Sequence, residues 1–227
     1  MNWTELKRAF LSVNALESQL YPALKLPVEL RTYEPSDFEG CVRIYRENEP
    51  GRFPAGSFSE FERYLEDESK TLIVAEVGGS IVGMGGIFLA EENVVVLCFG
   101  IVAKRYQRQR IGATLTLLRL TLVPEVETGT YVVVFAVPES IRVYRKFGFE
   151  TYSSWQAEDG KSYPTGVAFL PHYSRERIRF VLGKRRIRVR GHTALSQSKD
   201  FGCRIIDEPD GTQRLEFVGP GDDTEGQ

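Results

Sequence analysis

The chain has 227 residues, 42% hydrophobic and 26% charged, with a net charge of −2. That length suits one large domain or one domain with appendages, and the near-neutral charge does not mark nucleic acid as a partner. Three scattered cysteines (Cys41, Cys98, Cys203) and two histidines offer neither a disulfide framework nor metal-ligand spacing, so a reduced, metal-free, cytoplasmic protein is expected.

The first residues, MNWTELKRAF, carry acid and no long apolar core, unlike a signal peptide. Trp3, Leu6, Phe10, Val13, Leu16 and Leu20 recur at three- and four-residue spacing. This predicts an amphipathic helix, packed on the main domain, on a second copy of the chain in a homodimer, or in a partner's groove. Pro22 and Pro27 end it. Residues 28–37 read as a short strand and a turn. Asp37 is placed to cap a helix over 41–48, and Ser57 or Ser59 a second one that follows. The stretches 71–79 and 80–90 are strands joined at Gly78-Gly79-Ser80, a hairpin signal. Residues 93–103 form a buried strand, too short to cross a bilayer, and no membrane partner is expected.

Ile111, Leu115, Leu118 and Leu122 then fall on one helical stripe, stopped by Pro124. A buried strand follows at 131–137, and a short helix over 138–149 with Pro138 at its start and Gly148 near its end. Strands over 151–158 and 165–171 complete an α/β fold: a mixed, mostly antiparallel central sheet flanked by helices. Residues 183–191 are basic and alternating, and Asp210-Gly211 centres a second hairpin signal. The expected organisation is a helix in 1–27, a main domain over 28–171, a small β appendage over 172–218, and a disordered tail over 219–227. The basic run could touch RNA or an acidic protein, but flanking acids offset it and no aromatic interleaves it.

The loop between the buried strand and the striped helix carries the first chemical signal. Residues 106–115 read YQRQRIGATL, with Arg105 just before. The first N–H groups of a helix lack intrahelical partners and its dipole is positive there, which suits a pyrophosphate. Gly112 would let a ligand approach the backbone. A solvated basic loop that binds nothing is the competing reading.

With a second segment, SIRVYRKFGFE, the chain resembles the GNAT superfamily of acyl-CoA-dependent N-acyltransferases over roughly residues 28–170. The resemblance implies acetyl-CoA or another acyl-CoA as co-substrate, no metal, and an amine acceptor, either a small molecule or a protein amine. The backbone of Ile101 and Val102 would pair with the pantetheine arm. Gln107 would open the pyrophosphate loop, and Arg108, Gln109, Arg110, Ile111, Gly112 and Ala113 would hold the phosphates. Arg110 stands where the family has a glycine; in helical geometry it would still present its N–H. Val137 stands where the family often has asparagine.

Tyr144 matches the family's tyrosine. A phenol of ordinary pKa about 10 can hydrogen-bond or protonate a departing thiolate of about 8.5. The family's strand glutamate is absent. Cys98 falls near its place, and Glu91 and Glu92 only precede the strand. Glu47, Glu49 and Glu158 could draw a cationic amine, or be plain surface acids. The expected activity is acyl transfer from acyl-CoA to an amine in a ternary complex. A catalytically silent acyl-CoA-binding module and a partner-binding scaffold are the rivals.

Overall fold

The computed structural model describes residues 26–49, 52–54, 56–67, 70–91, 93–123, 129–157 and 160–170, and beyond them 188–190, 202–207, 209 and 213–218. The helix expected in 3–20, Pro124, Glu92, Glu158 and the tail 219–227 lie outside the described residues.

The elements run β1 (Glu29–Thr32), α1 (Phe38–Asn48), α2 (Ser57–Glu66), β2 (Thr71–Val77), β3 (Ser80–Glu91), β4 (Val94–Val102), α3 (Ile111–Leu120), β5 (Thr130–Phe135), α4 (Ile141–Arg145), β6 (Glu150–Gln156) and β7 (Ser162–Leu170). Three more strands follow: β8 (Arg188–Arg190), β9 (Gly202–Asp207) and β10 (Gln213–Val218). One sheet has the order β6-β7-β5-β4-β3-β2-β1-β8. Its pairs are antiparallel except β4–β5 and β1–β8. The mixed, mostly antiparallel α/β fold is as expected. Residues 188–190, expected in the appendage, instead pair with β1 at the edge of the main sheet. The hairpin signal near 210 is matched by β9 and β10, which pair with each other. Among the described residues no helix is long and apolar enough to cross a membrane.

Strand alternation sorts the core into two layers. In β5, Val132 and Val134 face α3 and α4, with Ile111, Leu115, Leu118 and Phe147. Tyr131 and Val133 face α1 and α2, with Ile44, Tyr45, Phe61 and Leu65. The sheet is therefore covered on both sides. Gly78 and Gly79 take the hairpin turn with φ of 56° and 78°, a conformation that a side chain would disfavour.

Two expected caps are not made. Asp37 stands at the N-cap of α1 without a side-chain cap bond. Its carboxylate instead takes Arg31 in a bidentate pair at 2.6 and 2.8 Å and the Glu34 N–H at 2.9 Å. Arg31 also reaches Glu76 at 3.0 Å, so this charged cluster ties β1, β2 and the start of α1 together. At α2 the N-cap is Gly56, with φ 82°. Ser57 and Ser59 donate backwards to the carbonyls of Pro54 and Gly56. The helix expected over 138–149 shortens to Ile141–Arg145, flanked by turns.

Candidate active site

Parallel pairing of β4 with β5 lasts only from Val94↔Tyr131 to Leu97↔Val134. Beyond that, β5 stops at Phe135 while β4 continues to Val102 along β3. The strands part, and a cleft of about 110 Å³ opens between them. Its walls are Leu97 to Val102 on one side and Val134, Phe135, Val137, Ser140 and Tyr144 on the other, with Asn48, Arg52 and Phe53 above.

A bulge shapes the β4 wall. Met84 pairs with Ile101 but Gly86 pairs with Cys98, so β4 has an extra residue between them. Phe99 takes φ 43° there. The alternation is shifted: Val95 and Leu97 face α3, whereas Ile101 and Ala103 face α1 and α2. Cys98 and Phe99 both pack on the α1/α2 side. Phe99 sits edge-on to Phe61 and Tyr64, each with ring centroids 5.1 Å away. Gly100 turns the other way. A Cβ built on it would lie 3.0 Å from the Tyr144 hydroxyl and 3.3 Å from Nη2 of Arg119. The phenol thus stands against Gly100 in the cleft lining.

Two glycines in β3 make room for this bulge. A Cβ on Gly85 would stand 2.8 Å from the Arg119 guanidinium. One on Gly86 would stand 2.6 Å from the Cys98 sulfur and from the Tyr64 hydroxyl. Although Cys98 is partly exposed at the cleft, its sulfur is turned onto Gly86. Burial, little offset by the Tyr64 hydrogen bond and Arg119, pushes its thiol up to about 12. It is protonated at neutral pH and is no base. Glu91 pairs with Val94 at the opposite end of β4 and does not reach the cleft.

At the mouth, Ala103 N–H bonds the Val82 carbonyl at 2.9 Å. By alternation, Ile101's backbone groups then point to β3 and those of Val102 to the open side. The Val102 carbonyl accepts from Gln107 Nε2 at 3.0 Å and from Asn48 Nδ2 at 3.3 Å. Gln107 Nε2 also reaches Asn48 Oδ1 at 3.0 Å. Its amide braces the loop against α1 and β4. Glu47 accepts the Lys104 N–H at 2.8 Å and Glu49 pairs with Arg46 at 2.8 Å.

The loop reaches α3 through two left-handed arginines, Arg108 at φ 59° and Arg110 at φ 72°. Arg110 is the N-cap and is not in the helical geometry expected of it. Its left-handed backbone explains why a glycine would fit there. Gln109 Nε2 donates to the Arg105 carbonyl at 3.1 Å. The first intrahelical bond is Thr114 N–H to Arg110 C=O, so the N–H groups of Ile111, Gly112 and Ala113 have no partner within the helix. A Cβ on Gly112 would touch only Val102 Cγ2, at 3.6 Å.

Tyr144 is 8% exposed, and its ring meets Phe149 edge-on at 5.5 Å. The Tyr144 carbonyl accepts from Phe147 and Phe149, which fixes the turn after α4. Tyr144 meets β4 at Gly100, and the loop begins just past Val102 on the same wall. The bulge, Asn48 and Arg119 were not singled out from sequence. Arg119 did leave a signal there: it lies four residues after Leu115, on the helix's apolar face.

Comparison with known proteins bears on the family and the fold. The acetyltransferase (GNAT) domain family matches residues 41–164. Ard1 of Thermoplasma volcanium is similar at 21% identity over 64% of this chain and 99% of its own, with TM-score 0.51. The ribosomal-protein-alanine N-acetyltransferase of Brucella melitensis is similar at 17% identity over 62% of this chain and 99% of its own, with TM-score 0.52. An acetyltransferase structure from Pyrococcus horikoshii is 25% identical over 56% of this chain, with TM-score 0.48, and the match spans 45% of its length. No curated protein matches. With more than half of its length matched by the family, the chain belongs to the GNAT acetyltransferases.

Proposed function

We propose that the protein is an N-acyltransferase that moves an acetyl or similar short acyl group from acyl-CoA to an amine by direct attack in a ternary complex. The observation that carries this reading is the split between β4 and β5, a cleft lined by Tyr144 and by Val102, whose side chain lies beside Gly112 at the start of α3. In this reading the pantetheine arm lies along β4. The backbone of Val102 pairs with it and Ile101 forms the strand behind. The pyrophosphate rests on N–H groups from Arg108 to Ala113, with Gln107 bracing the loop. Family membership supports acyl-CoA as co-substrate. The chemistry belongs to residues 28–171. The acceptor is a small-molecule or protein amine.

The amine nitrogen forms a bond to the thioester carbonyl carbon, and the carbon–sulfur bond then breaks with its electron pair going to sulfur. The Tyr144 hydroxyl donates to that sulfur. No carboxylate or imidazole stands among the described cleft-lining residues. The ammonium proton therefore leaves to water. The same observation favours a second reading, an acyl-CoA-binding module without turnover.

Thermal unfolding with acetyl-CoA or CoA, followed by thiol release with a panel of amines and peptides, tests both. Ligand at a hundred times its dissociation constant stabilises by about 2.7 kcal/mol. For this chain length that is a shift of about 5–10 °C. A shift with thiol release supports the transferase. A shift without release from any amine supports the module. No shift at millimolar ligand removes both.

A further inference from the structure

Arg119 is a buried charged group beside this cleft that has no part in the acyl-transfer step described above. It lies in α3 among Leu115, Leu117, Leu118 and Leu120, and is 1% exposed. No carboxylate among the described residues pairs with it. Its guanidinium donates only to neutral acceptors: Nη1 to the carbonyls of Gly86 (3.0 Å) and Cys98 (3.2 Å), Nε to that of Leu115 (3.3 Å), and Nη2 to Thr116 Oγ1 (3.3 Å). A buried charge without a counter-charge is costly, and an apolar side chain of similar volume would serve packing better.

The surroundings are built for it. Gly85 leaves the space that the guanidinium fills, and Gly86 and Cys98 are the two residues that pair across the β4 bulge. Nη2 and the Tyr144 hydroxyl both lie close to the same point, the missing Cβ of Gly100, at 3.3 and 3.0 Å. The titratable groups facing this space are Tyr144 from α4, Cys98 from β4 and Tyr64 from α2, with Lys70 acting on Cys98 from beyond. None is a carboxylate, so the positive charge is not cancelled locally.

We propose that Arg119 is a positioning residue for the acyl transfer described above: it clamps the β4 bulge through the Gly86 and Cys98 carbonyls and keeps an unneutralised positive charge beside the Tyr144 phenol, which favours the coenzyme A sulfur as thiolate. The inference rests on the proposed function, because only a bound acyl-CoA brings sulfur to that phenol. In a dry site a fixed charge acts strongly on a developing anion without reorganising.

The test needs no acceptor amine. Calorimetry on the full chain compares CoA with desulfo-CoA, which lacks the sulfur, from pH 7 to pH 9, for wild type, Arg119→Lys and Arg119→Met. A thiol whose pKa is lowered on binding binds more tightly as pH rises toward its free value. The wild-type preference for CoA should therefore grow severalfold, with about tenfold the limit for one unit of thiol pKa. Arg119→Lys should keep the rise, and Arg119→Met should flatten it while desulfo-CoA still binds. A role in packing alone would not move this ratio. If wild type binds both compounds with no pH-dependent preference, or Arg119→Met keeps the rise, the inference is wrong and the transferase reading stands. If neither compound binds, both fall. The wild-type profile alone can overturn the proposal, whether or not the Met variant folds.

Discussion

The Tyr144 hydroxyl occupies the space that a side chain at Gly100 would need: an added Cβ would lie 3.0 Å from it. Gly100→Ala should therefore push the phenol aside, and Tyr144→Phe should remove its hydroxyl. Each should slow thiol release by about a hundredfold or more, the usual weight of one positioned proton donor. CoA affinity should change little in Tyr144→Phe. Both changes act through one group, so the double variant should be little worse than either single one. Unchanged turnover in Tyr144→Phe would reduce Tyr144 to a ring packed on Phe149.

Arg110 holds φ 72° as the N-cap of α3. A left-handed conformation costs a residue with a Cβ roughly 1–2 kcal/mol, and glycine escapes most of this. Arg110→Gly should be more stable than Arg110→Ala by about 1 kcal/mol, which for this chain length is a few degrees in Tm. Arginine and alanine share the strain, so the comparison isolates the backbone from the charge. Calorimetric melting of the two variants decides it, and an alanine variant as stable as the glycine one would show that the loop relaxes out of this geometry.

What could be read from sequence divides along physical lines. Apolar periodicity located β2 to β5 and the α3 stripe, because burial on one or both faces leaves a repeating pattern. Gly78-Gly79 located the hairpin, because only a two-residue turn with positive φ joins such strands well. The bulge at Phe99 left no such trace. VVVLCFGIV reads as one unbroken strand, and the shifted alternation is visible only once Gly86 is seen opposite Cys98. The caps failed for a related reason. Asp37, Ser57 and Ser59 had the right identity, but tertiary partners or a left-handed Gly56 took the place of the local bond. Of the site, YQRQRIGATL and Tyr144 were visible as local motifs. The pairing of Gln107 with Asn48, and of Arg119 with Gly86 and Cys98, spans long stretches of sequence, and no local pattern encodes it.

Acid should loosen the β1–α1 corner. Burial alone would raise the Asp37 carboxyl, but the Arg31 hydrogen bonds and the Glu34 N–H outweigh it and hold it below its usual range. A carboxyl lowered on folding contributes its full stability above its unfolded pKa of about 3.9, and loses it as pH falls through the folded value. Stability should therefore decline below about pH 4. Asp37→Asn should cost roughly 1.5–3 kcal/mol at neutral pH, the range for hydrogen bonds to a charged group. Its decline with acid should be shallower than that of wild type. Urea midpoints between neutral pH and acid give both slopes, and equal slopes would place the acid sensitivity elsewhere.

Gly112→Ala separates what the protein needs from what its ligand needs. The added Cβ would meet only Val102 Cγ2, at 3.6 Å, an ordinary contact. Within the first turn of α3, replacing glycine by alanine should stabilise the unliganded protein by up to about 1 kcal/mol. The same methyl stands beside the N–H groups of Ile111, Gly112 and Ala113, where a pyrophosphate would come closest. The shift in Tm produced by acetyl-CoA should therefore shrink even as the Tm of the free protein rises. Opposite signs in the two readouts mark a glycine kept for the ligand. A ligand-induced shift as large as that of wild type would mean that phosphate does not approach the backbone there, and would move the pyrophosphate off the start of α3.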